Sequence, residues 1–89
     1  MTPTIIILDE RDSVGVALRP LKAGDRCAAH DGDQDLRARE DIPFGHKVAL
    51  VDLPRNAPVR KYGEIIGYAE GEIRAGCHVH THNLRAPLG

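Results

Sequence analysis

Thr4-Ile5-Ile6-Ile7-Leu8, Asp9-Glu10-Arg11-Asp12-Ser13 and Val14-Gly15-Val16-Ala17-Leu18 follow one another without a break. The first run is β-branched and apolar, bounded by Pro3 and Asp9, and reads as a buried strand. The second is a polar turn. The third is another short strand, ended by Pro20. The two strands are expected to pair as a hairpin. Neither run is long enough for a helix with an apolar stripe, which needs about 10–12 residues.

The same grammar continues outward. Leu21-Lys22-Ala23-Gly24-Asp25 reads as a turn, with Gly24 free to take a positive φ. Short strands are predicted at 26–30 and 36–40, joined by the tip Asp31-Gly32-Asp33-Gln34-Asp35. That tip is not an EF-hand loop, because its glycine is misplaced and no closing Glu stands at the required spacing. A loop at 41–47 precedes a strand at 47–51, and a loop at 52–58 precedes an extended segment at 59–62. Residues 64–69 fit either a strand or a single helical turn. A last strand is predicted across 77–82, after a turn at Gly76. No internal repeat stands out. The fold class is all-β, with seven or eight short strands and at most a turn or two of helix, in a barrel-like or clip-like arrangement. The 89 residues make one domain, with an ordered core over 4–84 and a tail over 85–89.

Composition narrows the function. Trp is absent and Phe44 is the lone Phe, so the core must come from Ile, Leu, Val and Ala. Tyr62 is expected in that core with its hydroxyl at the surface. Twelve basic and thirteen acidic residues give a net charge of −1, which leaves no basic excess for nucleic acid. No apolar run reaches membrane-spanning length, and Ile5–Leu8 is too short for a signal peptide. Cys27 and Cys77 are expected as free thiols in a reducing cytoplasm, Cys27 packing in the core and Cys77 without a catalytic role.

The chemistry gathers in Gly76-Cys77-His78-Val79-His80-Thr81-His82-Asn83-Leu84. The strand period of two sets His78, His80 and His82 on one face. Imidazole serves as metal ligand, general base and hydrogen-bond partner near neutral pH. On a straight strand His78 and His82 would lie roughly 13 Å apart, too far to share one ion. Two neighbours could share a metal if a third ligand came from elsewhere. A histidine-rich strand facing water is the plain alternative. His30 is expected to be merely exposed.

Several blocks together resemble the N-terminal domain of the altronate and galactarate dehydratase family, related also to the sulfolactate sulfo-lyases. They are Asp12–Leu18, Gly45-His46-Lys47-Val48-Ala49-Leu50, Lys61-Tyr62-Gly63-Glu64, Ile66-Gly67-Tyr68-Ala69 and Gly76–Asn83, in the family's order. The resemblance implies a SAF-type domain of the β-clip fold. It implies a lyase that removes water from a dihydroxy carboxylate, or sulfite in the sulfo-lyases. It also implies a divalent metal, Fe2+ or Mn2+, and a large catalytic subunit or domain as partner, with a sugar acid as substrate. The chain would be the small subunit or N-terminal domain, inactive alone. A stand-alone SAF binding module is the alternative, and homo-oligomer formation is left open.

Elimination beside a carboxylate needs a base, enolate stabilisation and an acid for the leaving group. The catalytic candidates are His46, His80 and His82. Lys47 and Asn83 are candidates for binding substrate, through a carboxylate and a hydroxyl respectively, although Asn83 could equally satisfy a turn. His78, His80 and His82 are the candidate metal ligands. His46, His80 and His82 are expected to point into one cleft facing the partner, with His78 as the alternative member.

Overall fold

The computed structural model describes residues 2–29 and 35–87. His30 and the tip at 31–34 lie outside the described residues. Seven strands and no helix occur among those described: β1 (Ile5–Ile6), β2 (Val14–Ala17), β3 (Lys47–Ala49), β4 (Pro58–Lys61), β5 (Glu64–Ala69), β6 (His78–Val79) and β7 (Leu84–Arg85). They form two antiparallel sheets, β1-β2-β3-β6 and β4-β5-β7. The expected β1–β2 hairpin forms, with Ile5 opposite Ala17 and Ile6 opposite Val16. Residues 64–69 are extended rather than helical. The strands expected near 26–30 and 36–40 reduce to one bridge, Arg26 to Arg37, within the described residues. Arg85, expected in the tail, pairs with Tyr68 in β7.

A repeated turn builds the molecule. It occurs at Leu21–Asp25, Ile42–His46, Leu53–Ala57 and Ile73–Cys77. In each, the N–H of the fifth residue donates to the carbonyl of the second, at 2.9, 3.1, 3.0 and 3.0 Å. The fourth residue has positive φ: Gly24 at 94°, Gly45 at 82°, Asn56 at 68° and Gly76 at 92°. That is the type II requirement for Gly or Asn. The N–H of the fourth residue always donates to an alanine carbonyl: Ala38, Ala17, Ala69 and Ala49 in turn. The first residue is always a buried Leu or Ile. These pair two by two, Leu21 with Ile42 and Leu53 with Ile73. Four-residue spacing with varied intervening residues hid this repeat from the sequence reading.

Two cores result. Ile5, Ala17, Leu21, Cys27, Ala38, Ile42 and Val48 form one. Val14, Ala49, Leu53, Val59, Ala69, Ile73 and Val79 form the other. The four-stranded sheet lies between them, because alternation along β3 sends Val48 to the first core and Ala49 to the second. Cys27 packs in the first core as expected, and both cysteines are free thiols.

Tyr62 departs from expectation: it is 72% exposed. It occupies the first central position of the β4–β5 hairpin, with φ 60°, followed by Gly63 at 76°. Positive φ at both positions is the I′ pattern that matches strand twist, and it throws the Tyr62 ring outward. The carboxylate of buried Asp12 holds this turn, accepting the N–H of Tyr62 at 2.9 Å and of Gly63 at 2.8 Å. Asp12→Ala should lower unfolding free energy by about 2–3 kcal/mol, since it removes a charged acceptor from two partly buried N–H donors, and hydrogen bonds to charged groups are worth more than neutral ones. Urea denaturation checks this, and a change below about 0.5 kcal/mol would contradict the anchoring role.

Candidate functional site

Sheet register assembles the histidines. β3 and β6 run antiparallel with Lys47 opposite Val79 and Val48 opposite His78. Extending that register by one residue sets His46 opposite His80. Opposed residues on one face hold their Cβ atoms about 4.5–5.5 Å apart, which lets the rings stack. The centroids of His46 and His80 are 4.2 Å apart, with planes 21° from parallel. His78 is the diagonal neighbour, with its centroid 5.1 Å from that of His46. His46 Nδ1 and His78 Nε2 are 2.9 Å apart, a hydrogen bond in which one ring donates and the other accepts. His78 and His80 stack at 5.5 Å.

The strand expected over 77–82 stops after Val79, and residues 81–83 turn. Asn83 closes that turn. Its side-chain oxygen accepts the His80 N–H at 2.9 Å, and its amide donates to the His78 carbonyl at 2.8 Å. Its own N–H donates to the His80 carbonyl at 3.1 Å. The turn brings the His82 ring back to 5.2 Å from that of His78, tilted by 42°, with the residue exposed. The straight-strand separation therefore does not apply. His46 and His80 share a face as expected. His78 stands where His82 was expected, and His82 sits at the rim beside it.

One ring nitrogen from each of His46, His78 and His80 lies within 4.8 Å of the other two. Nitrogens sharing an ion at about 2.0–2.1 Å sit roughly 3–3.4 Å apart, so small ring rotations would close the set. Three neutral imidazoles suit a divalent transition ion, and iron better than manganese, which favours oxygen ligands.

The surroundings favour the neutral form of His78 and His80. The His78 pKa is held below its ordinary value by desolvation first, then by His46, His82 and His80; Glu40 opposes the shift. The His80 pKa is also lowered, by desolvation, His46, Lys47 and His82 in that order. Glu40 fixes the start of β6, its carboxylate accepting the His78 N–H at 3.0 Å. A histidine with a depressed folded pKa is neutral while its unfolded counterpart protonates. Stability from His78 is thus full above about pH 6.5 and is lost as pH falls through the lower folded pKa. His78→Gln should flatten that part of the stability–pH curve, measured by urea midpoints from pH 8 to pH 5; an unchanged slope would contradict the assignment.

Lys47 is not brought into the ring cluster. It shares the Val16–Lys47–Val79 row, on the sheet face opposite Val48 and His78. It is partly buried, and its pKa is lowered by desolvation and then by Lys61. Sequence reading missed Glu40 as a neighbour of the site. An exposed Glu carries no local signal of it.

The altronate/galactarate dehydratase SAF domain model matches residues 3–87. Altronate dehydratase of Escherichia coli (strain K12) is 46% identical over 77 residues, covering 86% of this chain and 15% of that protein. Altronate dehydratase of Bacillus subtilis (strain 168) is 35% identical over 85 residues, 17% of its length. The chain thus spans about one-sixth of these curated relatives. The (2R)-sulfolactate sulfo-lyase subunit alpha of Chromohalobacter salexigens is 36% identical over 90 residues, and the match covers 96% of both chains. With a family model spanning nearly all the described residues and a relative of matching size, the chain belongs to the altronate/galactarate dehydratase SAF domain family.

Proposed function

We propose that this domain is the small component of a sugar-acid dehydratase or related lyase, and that its histidine cluster holds a divalent metal at the junction with a large catalytic partner. The observation that carries this is the convergence of His46, His78 and His80 nitrogens within 4.8 Å. A relative of the same size named as a lyase subunit, and longer relatives named as dehydratases, support the component role. The cytoplasm is its proposed place, as expected for sugar-acid metabolism.

In this reading His46, His78 and His80 hold the ion, and Asn83 positions two of them through the backbone. When bound, the ion supplies Lewis-acid stabilisation of charge developing on the substrate. His82, exposed at the rim next to His78, is the group free to exchange a proton with a substrate presented by the partner. Among the described residues the rings of His46, His78 and His80 are only half-buried and His82 is exposed, so turnover in this reading relies on the partner to exclude water. A stand-alone binding module would also use the cluster, without chemistry.

Cobalt(II) titration of the metal-free domain, followed by visible absorption, tests this reading. One ion per chain with nitrogen-ligand bands is expected. Binding should weaken as pH falls through the lowered pKa range of His78 and His80, because the rings must be neutral. No absorption change, or binding indifferent to His46→Gln, would overturn the site.

A further inference from the structure

β6 is the outer strand of its sheet. The Ala49 N–H donates to the Cys77 carbonyl at 2.9 Å, and Lys47 lies opposite Val79. Residues 77 and 79 therefore turn their backbone groups toward β3, and His78 and His80 turn theirs to the free edge. Polar groups on such an edge are left to water or to another strand. Here side chains of the same molecule take them. The Glu40 carboxylate accepts the His78 N–H at 3.0 Å. Asn83 donates to the His78 carbonyl at 2.8 Å and accepts the His80 N–H at 2.9 Å.

Glu40 is delivered to this edge by the backbone before it. The Arg39 N–H donates to the Gly76 carbonyl at 2.9 Å, and the Arg37 carbonyl packs against Gly76 where a Cβ would stand. The chain then bends at residues 39–40 and leaves β6 for Ile42, which pairs with Leu21. The Glu40 side chain continues, one step further along β6, the contact that the backbone has just given up. Asn83 reaches its two partners from three and five residues away, within its own turn. Glu40 arrives from 38 residues away, and so ties the ring-bearing strand to a separate segment.

We propose that Glu40 is a positioning residue of the histidine cluster: its hydrogen bond to the His78 N–H holds the 78–80 backbone where the His78 and His80 rings meet His46, and so sets metal affinity without touching the metal. The consequence for the metal rests on the function proposed above; the consequence for the rings does not. The rings give the bond something to hold, since the 2.9 Å contact between His46 Nδ1 and His78 Nε2 depends on where the His78 backbone sits. Groups that orient metal ligands from outside typically change affinity by about 10–100-fold.

The test compares Glu40→Ala and Glu40→Gln with the parent in two measurements. The first is cobalt(II) affinity in about 0.5 M salt, where screening over about 4 Å leaves the charge of an exposed carboxylate little effect. Glu40→Ala should bind about tenfold more weakly. Glu40→Gln, which keeps an oxygen acceptor, should bind as the parent does. The second is long-range nitrogen–proton nuclear magnetic resonance of the histidine rings in the metal-free domain, which reads their tautomers. The parent and Glu40→Gln should show His46 and His78 each held in one tautomer by their mutual bond, and Glu40→Ala should show them averaging. A merely stabilising contact would shift the urea midpoint and leave the ring signals alone. Glu10→Ala, which removes an exposed acid in the turn between β1 and β2, should change neither measurement. Ring signals in Glu40→Ala that match the parent's would overturn the proposal. So would parent-like cobalt affinity in Glu40→Ala, or a Glu40→Gln as impaired as Glu40→Ala. Failure of the parent to bind cobalt overturns the metal reading alone, and the ring signals of Glu40→Ala then decide the role of Glu40.

Discussion

Gly76→Ala is expected to destabilise the domain by about 3 kcal/mol, the sum of a φ penalty and a backbone collision. Gly76 has φ 92°, where an L-residue is strained. A Cβ there would also run into the carbonyl oxygen of Arg37, which belongs to the backbone and cannot swing aside, and into Arg39 Cγ at 3.0 Å. The contacts at this point are tight because Gly76 serves two neighbours. Its N–H donates to Ala49 at 2.8 Å and its carbonyl accepts the Arg39 N–H at 2.9 Å. Gly24 sits at the matching place in the first turn, with φ 94° and nothing within 4 Å of an added Cβ. Gly24→Ala should therefore cost only about 1–2 kcal/mol, the φ term alone. Parallel urea denaturations give both values, and equal losses would contradict the collision. Gly76 also lies two residues before His78, so Gly76→Ala should weaken cobalt binding as well.

His78→Ala should lower cobalt affinity by at least about a hundredfold, because it removes one of three ligands. His82→Ala should leave affinity nearly unchanged, because His82 is outside the three-nitrogen group. Competition against a chelating dye measures both. Equal losses would return His82 to the ligand set and contradict the geometry. The pair also separates ligand loss from general damage. Each variant removes one partly solvated ring, and His82, the more exposed, makes the weaker contacts.

The contrast between His78 and His82 shows what the sequence could and could not tell. Period-two spacing correctly implied a shared face for His78 and His80 but not for His82, which lies past the end of the strand, and the Gly45-His46 block pointed to a second contributor. The choice between His78 and His82 depended on β3–β6 register, which is a property of two strands 31 residues apart and not of either alone. It also depended on where β6 ends. The Asn83 side chain decides that by competing for the backbone of His78 and His80. Asn at that place was legible as a turn residue, but its reach to two histidines was not.

The all-β class was legible for a different reason. Runs of four or five apolar residues closed by Gly or Pro leave no room for helix, whatever the tertiary context. Boundaries were overestimated, since Thr4–Leu8 contains a strand of only Ile5–Ile6. Much of the chain is instead organised by the four type II turns, whose signature is one Gly or Asn three residues after a buried Leu or Ile. Three scattered glycines and one Asn do not announce a repeat until their alanine partners are seen across space. Tyr62 was misplaced because Tyr-Gly is not the Asn-Gly that marks an I′ hairpin. Its unusual conformation is stabilised from a distance, by Asp12.

Anomalous diffraction at the cobalt edge, from crystals of the domain grown with cobalt(II), tests the shared site most directly. A single strong peak per chain is expected, about 2.1 Å from one nitrogen each of His46, His78 and His80. A peak on His82 without His46, or separate ions on separate histidines, would contradict it.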